Sequence, residues 1–259
     1  MRTMPSKVLM SVFSLIVCAG CSVKEDRTLC PCRLVLDFSE VDTAVIRSVD
    51  LDVTAPDGFV FAENLEASRF DEDYVATVPR QELQLSVWSG RGAFASDDGL
   101  RIPYGNGAPP VYIHSALLDA DCEQLHHTVI MRKNHCNVTI RMKGEDVDPV
   151  SISLVGNVDG YASDGRPTLG RFCCSSAVDV DGSCTMVLPR QVDNTLMMEL
   201  DDASGVLKRF AIGEYIAESG YDWATPDLED ITIDLDFAVT HLTLVIQGWE
   251  KEYMFDIVI

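Results

Sequence analysis

Apolar residues recur at every second position in many short runs along the chain. Leu34, Leu36 and Phe38 alternate with Val35 and Asp37. Val49, Leu51 and Val53 alternate with Asp50 and Asp52, and Leu83, Leu85 and Val87 with Gln84 and Ser86. The same spacing returns at Val138/Ile140/Met142, Ile152/Leu154, Leu196/Met198/Leu200, Ile231/Ile233/Leu235/Phe237 and Leu242/Leu244/Ile246. A period of two puts one set of side chains on a buried sheet face and the other in water, so each run predicts a strand. Turn signals separate the runs: Pro56-Asp57-Gly58, Asp97-Asp98-Gly99, Gly105-Asn106-Gly107, Asp159-Gly160, Asp164-Gly165 and Asp181-Gly182. Helical spacing is weak throughout, and residues 206–219 are the most ambiguous stretch. Short strands punctuated by Asp/Gly turns predict an all-β chain of sandwiches.

The first residues have a different pattern. Arg2 and Lys7 precede an apolar run from Val8 to Val17, which meets Cys18-Ala19-Gly20-Cys21. Ten apolar residues are too few to cross a bilayer as a helix, which takes about 20. Positive charge, a short apolar core and small residues before a cut read as a secretory signal. A cysteine directly after Ala-Gly resembles the bacterial lipobox, with Cys18 standing where leucine is usual. The resemblance implies cleavage after residue 20 and acylation of Cys21 by palmitate-type chains, which hold where one chain binds only marginally. Ser22-Val23-Lys24-Glu25-Asp26 is similar to the surface-export tag of Bacteroidota lipoproteins and reads equally as a solvated tether.

Length and composition narrow the picture. The chain has 259 residues, 47% hydrophobic and 24% charged, an ordinary globular balance. Without the signal, the chain is about twice the length of one sandwich of roughly 100 residues. The expected division is residues 1–20 signal peptide, 21–32 lipidated tether, 33–133 N-terminal sandwich and 134–259 C-terminal sandwich. The formal charge is −21, and loss of Arg2 and Lys7 makes it −23. So acidic a body repels phosphate backbones, which argues against nucleic acid as a partner. Anionic lipid would not attract it either, which leaves membrane attachment to the acyl chains.

The block Cys21…Glu25-Asp26-Arg27-Thr28-Leu29-Cys30-Pro31-Cys32, with the strand Arg33-Leu34-Val35-Leu36-Asp37-Phe38 after it, resembles the start of minor or anchor fimbrillins of Bacteroides and Porphyromonas relatives, the FimB/Mfa-type lipoproteins. Met131-Arg132-Lys133-Asn134-His135-Cys136-Asn137-Val138-Thr139-Ile140 is similar to that family's opening of a second domain. Ile231-Thr232-Ile233-Asp234-Leu235 and residues 241–249 are similar to its terminal strand pair. The resemblance implies two tandem transthyretin-like β-sandwiches on an outer-membrane lipid anchor, exposed at the cell surface. It implies a role in pilus assembly and cell adhesion, with fimbrial shaft subunits as partners joined by strand addition. Tyr253, Met254, Phe255, Ile257 and Ile259 then form either the last strand of the second sandwich or a donor segment. A second reading is a surface lipoprotein that binds glycan or host protein through its sandwich loops.

The reactive residues add little chemistry. Seven cysteines remain beyond Cys21: Cys30, Cys32, Cys122, Cys136, Cys173, Cys174 and Cys184. An oxidising compartment favours disulfides, with Cys122–Cys136 and Cys184 with Cys173 or Cys174 as candidates, and buried free thiols as the alternative. Cys122, His126, His127, His135 and Cys136 lie close in sequence but match no metal-ligand spacing. His126 and His127 on a strand would face opposite ways. Asp179-Val180-Asp181-Gly182 opens like a calcium loop, but Arg190 stands where the loop requires Glu. No metal and no cofactor are expected. Enzyme signatures are missing: Gly160-Tyr161-Ala162-Ser163-Asp164-Gly165 has one residue too many for a nucleophile elbow. No enzymatic activity is expected. Trp88, Trp223 and Trp249 suit a sandwich core better than a glycan-stacking platform.

Overall fold

The computed structural model describes residues 30–143, 151–202, 205–236, 241–246 and 249–254. In chain order the first part holds β1 (Cys32–Asp37), β2 (Ser48–Thr54), β3 (Val60–Glu66), β4 (Tyr74–Val78), β5 (Glu82–Ser89), β6 (Ala95–Ser96), β7 (Gly99–Arg101), β8 (Tyr112–Asp119), β9 (Gln124–Thr128) and β10 (Arg132–Lys133). The second part holds β11 (His135–Lys143), β12 (Ser151–Ala162), β13 (Pro167–Ala177), β14 (Ser183–Pro189), β15 (Met197–Asp202), β16 (Gly205–Phe210), helix α1 (Ile212–Glu218), β17 (Ile231–Asp236), β18 (His241–Ile246) and β19 (Trp249–Met254). The chain is all-β, as the alternation predicts. The predicted runs fall wholly or largely in strands: 34–38 largely in β1, 49–53 in β2, 83–87 in β5, 138–142 in β11, 152–154 in β12, 196–200 in β15 except for Leu196, 231–235 in β17 and 242–246 in β18, while Phe237 lies outside the described residues.

The same strand topology occurs twice. In the first part β1 lies between β4, antiparallel, and β9, parallel. A second sheet runs β10-β8-β5-β2-β3, antiparallel throughout. In the second part β11 lies between β14, antiparallel, and β17, parallel. There β12 pairs with β13 and β15, and β15 with β16, repeating the pairing of β2 with β3 and β5, and of β5 with β8. The second copy also carries an extension, β18 on β17 and β19 on β18.

Two clusters of buried side chains fill the sandwiches. One gathers Leu34, Leu36, Phe38, Leu51, Val53, Leu83 and Leu85. The other gathers Val138, Ile140, Leu154, Phe172, Leu188, Leu200 and Ile233. Each such aliphatic or aromatic side chain contributes about 1.5–3 kcal/mol when fully removed from water. The cores do not divide linearly along the chain. Trp88, Leu100, Ile102, Val111 and Ile113 belong to the second cluster. Residues 95–111 cross over, and their backbone bonds there: β7 pairs with β12, the Ile102 amide donates to the Asp159 carbonyl at 2.7 Å, and the Gly105 amide to the Cys173 carbonyl at 2.9 Å.

Most of the predicted turns are turns. Asp57 accepts the Phe59 amide on its Oδ1 at 3.0 Å, and Gly58 takes φ 90°, so the β2–β3 hairpin closes on a side-chain bond and a left-handed glycine. Asp164-Gly165 and Asp181-Gly182 likewise join β12 to β13 and β13 to β14. Asp159-Gly160 is the exception. It lies inside β12, where the register against β13 shifts. A Cβ on Gly160 would run into the Leu100 carbonyl, so this glycine admits β7 rather than turning the chain. Residues 206–219 resolve into strand and then helix. The change comes at Ala211, after which Ile212 and Ile216, one turn apart, bury the inner face of α1.

Candidate functional site

Three places in the fold can engage something outside it: the first strand, β1, the open sheet edges, and a cleft where the two cores meet.

Strand β1 is the central strand of its sheet, and Cys32, Leu34 and Leu36 are fully enclosed. Whatever precedes Cys32 is therefore attached to an internal strand. The Arg33 amide donates to the Glu123 carbonyl at 3.0 Å, which brings the start of β1 against the turn between β8 and β9. Cys32 and Cys122 face each other there, sulfur to sulfur at 3.9 Å. Burial raises the Cys32 thiol to about 11, helped by the neighbouring Cys122.

Among the described residues, β3 and β13 each pair on one side only, and both carry apolar side chains in water. Val60 is 70% exposed at the start of β3, and Leu169 is 70% exposed on β13. An edge of unpaired amides and carbonyls can accept a strand from another chain. Tyr253 and Met254 lie in β19, opposite Leu242 and His241 of β18. Cys21, Phe255, Ile257 and Ile259 lie outside the described residues.

The cleft has a volume of about 540 Å³ and is lined by Asp52, Ser86, Trp88, Arg91, Asp97 and Ser163 among others. Arg91 is its organising residue. It bonds Asp50 at 3.3 Å and Asp52 at 2.8 Å, and its guanidinium lies 5.3 Å from the Trp88 ring. Asp50 and Asp52, solvated outward positions in the sequence pattern, thus hold a cation over a tryptophan. Ser86 donates to the Ser163 carbonyl and ties β5 to the β12–β13 turn. Trp88 is fully buried and Trp223 8% exposed, so both pack in the core. Nothing in the chain's local pattern marks the cleft, because its walls come from distant segments.

The histidine and cysteine cluster disperses. His126 is exposed and bonds Gln124, while His127 turns inward, so the two do face opposite ways. The Nε2 atoms of His127 and His114 share a hydrogen bond at 2.8 Å. His135 is buried with Nδ1 at 3.0 Å from the Val111 carbonyl. Cys136 is enclosed beside Tyr221, and burial pushes its thiol up to about 12. Cys122 is accordingly next to Cys32, not Cys136. Cys174 and Cys184 are buried free thiols, pushed to about 12 and about 11 chiefly by burial. Among the described residues, no group of three or more His, Cys, Asp or Glu is placed to hold a metal ion.

No family model matches the chain, and no curated protein sequence does. Solved structures do share its fold. The fimbrial anchor protein Mfa2 from Porphyromonas gingivalis superposes with a TM-score of 0.57 at 13% identity, over 85% of this chain and 99% of that one. A Bacteroides thetaiotaomicron protein proposed to bind polysaccharide gives 0.60 at 15% identity, over 86% and 98%. A proposed adhesin from Bacteroides ovatus gives 0.60 at 11% identity, over 90% and 97%. The chain has the β-sandwich fold of these proteins.

Proposed function

We propose that this chain is an outer-membrane lipoprotein that serves as the anchor or minor subunit of a fimbria at the cell surface. The observation that carries the reading is the fold shared with a fimbrial anchor protein over 99% of that protein's length. The lipobox-like residues ending in Cys21 support it, since they supply the attachment point an anchor needs. In this reading residues 1–20 are removed, Cys21 is acylated and residues 21–32 form the tether. Residues 33–133 and 134–259 form the two sandwiches, with the 95–111 crossover joining them. Shaft subunits are the partners, and they join by strand addition at an open edge. Residues 253–259 are either the closing strand or the donor segment.

The test is Cys21→Ala expressed in the source bacterium. The variant leaves the membrane fraction and fimbriae are shed into the medium. A variant that stays in the membrane with fimbriae attached contradicts the anchor role.

A second reading, a surface lipoprotein that holds glycan or host protein, is favoured by the cleft, whose hydroxyls, carboxylates and guanidinium suit a polar ligand at a junction between cores. Saturable binding on a glycan array, with no fimbrial partner, favours it over the first.

A further inference from the structure

Cys32 and Cys122 are 90 positions apart in the chain, yet the fold sets their sulfurs 3.9 Å apart. The geometry comes from the register. Arg33 pairs with Gln124 across the parallel β1–β9 ladder, so Cys32, one residue before Arg33, ends up beside the turn that carries Cys122, two residues before Gln124. Cys32 has the same parity as Leu34 and Leu36 and points with them into the core. Cys122 sits in the short turn before β9, its amide bonded to the Ala120 carbonyl at 2.7 Å, half-buried and packed against the same core. A disulfide needs the sulfurs at about 2.05 Å, so closing the gap takes about 2 Å of side-chain rotation. The remaining buried thiols, Cys136, Cys174 and Cys184, lie in the second core.

We propose that Cys32 and Cys122 form a disulfide that staples the start of β1 to the β8–β9 turn when the folded protein meets a disulfide oxidant. The oxidant is a low-molecular-weight or protein disulfide. Cys122, the accessible partner, loses its proton to water and attacks one oxidant sulfur, releasing a thiolate and leaving a mixed disulfide on Cys122. Cys32 then loses its proton and attacks Cys122 Sγ, breaking the mixed disulfide and releasing the second thiolate. Two protein thiols are oxidised to one disulfide, and the oxidant disulfide is reduced to two thiols. The bond fixes the first residue of an internal strand. Tension applied upstream of Cys32 then passes covalently to the β8–β9 turn instead of through the hydrogen bonds of β1 with β4 and β9. That mechanical use rests on the anchor reading, whereas the bond itself does not.

Peptide mapping of the full chain tests the bond. Trypsin leaves Cys30 and Cys32 together on residues 28–33 and leaves Cys122 alone on residues 102–132. Mapping is therefore done on Cys30→Ser, which removes an exposed thiol. The protein is equilibrated with oxidised and reduced glutathione, blocked with N-ethylmaleimide and digested without reduction. The expected product is residues 28–33 joined to residues 102–132, separated by dithiothreitol. Alkylation of both cysteines, a lasting glutathione adduct on Cys122, or a link from Cys122 to a different cysteine overturns the proposal. The loop closed is long, so reduction lowers the melting temperature by about 10 °C in Cys30→Ser. A melting temperature indifferent to reduction, with the bridge present beforehand, overturns the staple. These readouts are independent of fimbriae, so their failure leaves the anchor reading standing, and the reverse.

Discussion

Tyr161 is enclosed in the second core, and its hydroxyl bonds in two directions. It donates to the Asn134 carbonyl and accepts the Arg190 amide at 2.7 Å. Arg190 then reaches outward, donating to Asn134 Oδ1 at 3.0 Å and to the carbonyls of Trp223, Thr225 and Pro226. Burial lowers the pKa of this guanidinium, and carbonyl oxygens fix its position. Tyr161→Phe leaves an amide and a carbonyl unpaired in a closed space, which costs about 1–3 kcal/mol. Urea unfolding measures this, and an unchanged midpoint contradicts it. The His114–His127 pair makes a second prediction. Burial lowers both pKa values below the ordinary 6.5, with His127 also opposing the charge on His114. The folded state therefore holds these rings neutral. Their contribution is present above pH 6.5 and is lost as pH falls below it, when the unfolded chain takes up protons that the folded one refuses. Stability of the wild type declines from pH 6.5 toward 5, and the decline is shallower in His127→Gln. Parallel pH profiles for the two proteins contradict the assignment.

At the scale of elements, β7 meets β12 across two glycines. A Cβ on Gly99 would run into the Tyr161 carbonyl, and one on Gly160 into the Leu100 carbonyl. Gly160→Val forces the β7 strand off β12 and withdraws Leu100 and Ile102 from the second core. Calorimetry of this variant shows a lower melting temperature and two resolved transitions in place of one, whereas a single unshifted transition contradicts the role given to the crossover. The sequence showed many of these elements and hid others for physical reasons. Strands β2 and β11 leave one face partly in water, so their alternation is plain, and β5 alternates over Leu83, Leu85 and Val87 although Ser86 and Trp88 on its other face are buried too. In β8 and β9 polar side chains take inward places: His114 and His127 satisfy each other there, and the pattern blurs. Asp159-Gly160 has the composition of a turn, but a neighbouring backbone needs the missing Cβ. The Cys32–Cys122 contact is invisible along the chain because parallel pairing between its two ends creates it. The cleft is hidden likewise, being walled by Asp52, Trp88, Asp97 and Ser163 from separate segments.

At the scale of the whole molecule, two copies of one topology are joined by a crossing segment, and the second copy is extended by β18 and β19. The formal charge is −21, and among the described residues many acidic side chains lie on turns and outer strand faces. Turn carboxylates such as Asp57, Asp181 and Asp193 accept amide or hydroxyl hydrogen bonds that hold their pKa values below the ordinary 3.8. Their contribution is present above that value and fades as pH falls through the lowered ones. Repulsion among so many acidic groups opposes non-specific association between copies of the chain, which is compatible with the proposed joining to a fimbria at a single edge. The most direct measurement is affinity capture of the full chain from the source bacterium in mild detergent, with mass spectrometry and electron microscopy of what comes with it. The account predicts fimbrial shaft subunits in stoichiometric excess, as filaments with this chain at one end. Capture of the chain alone, from cells that carry intact fimbriae, would contradict it.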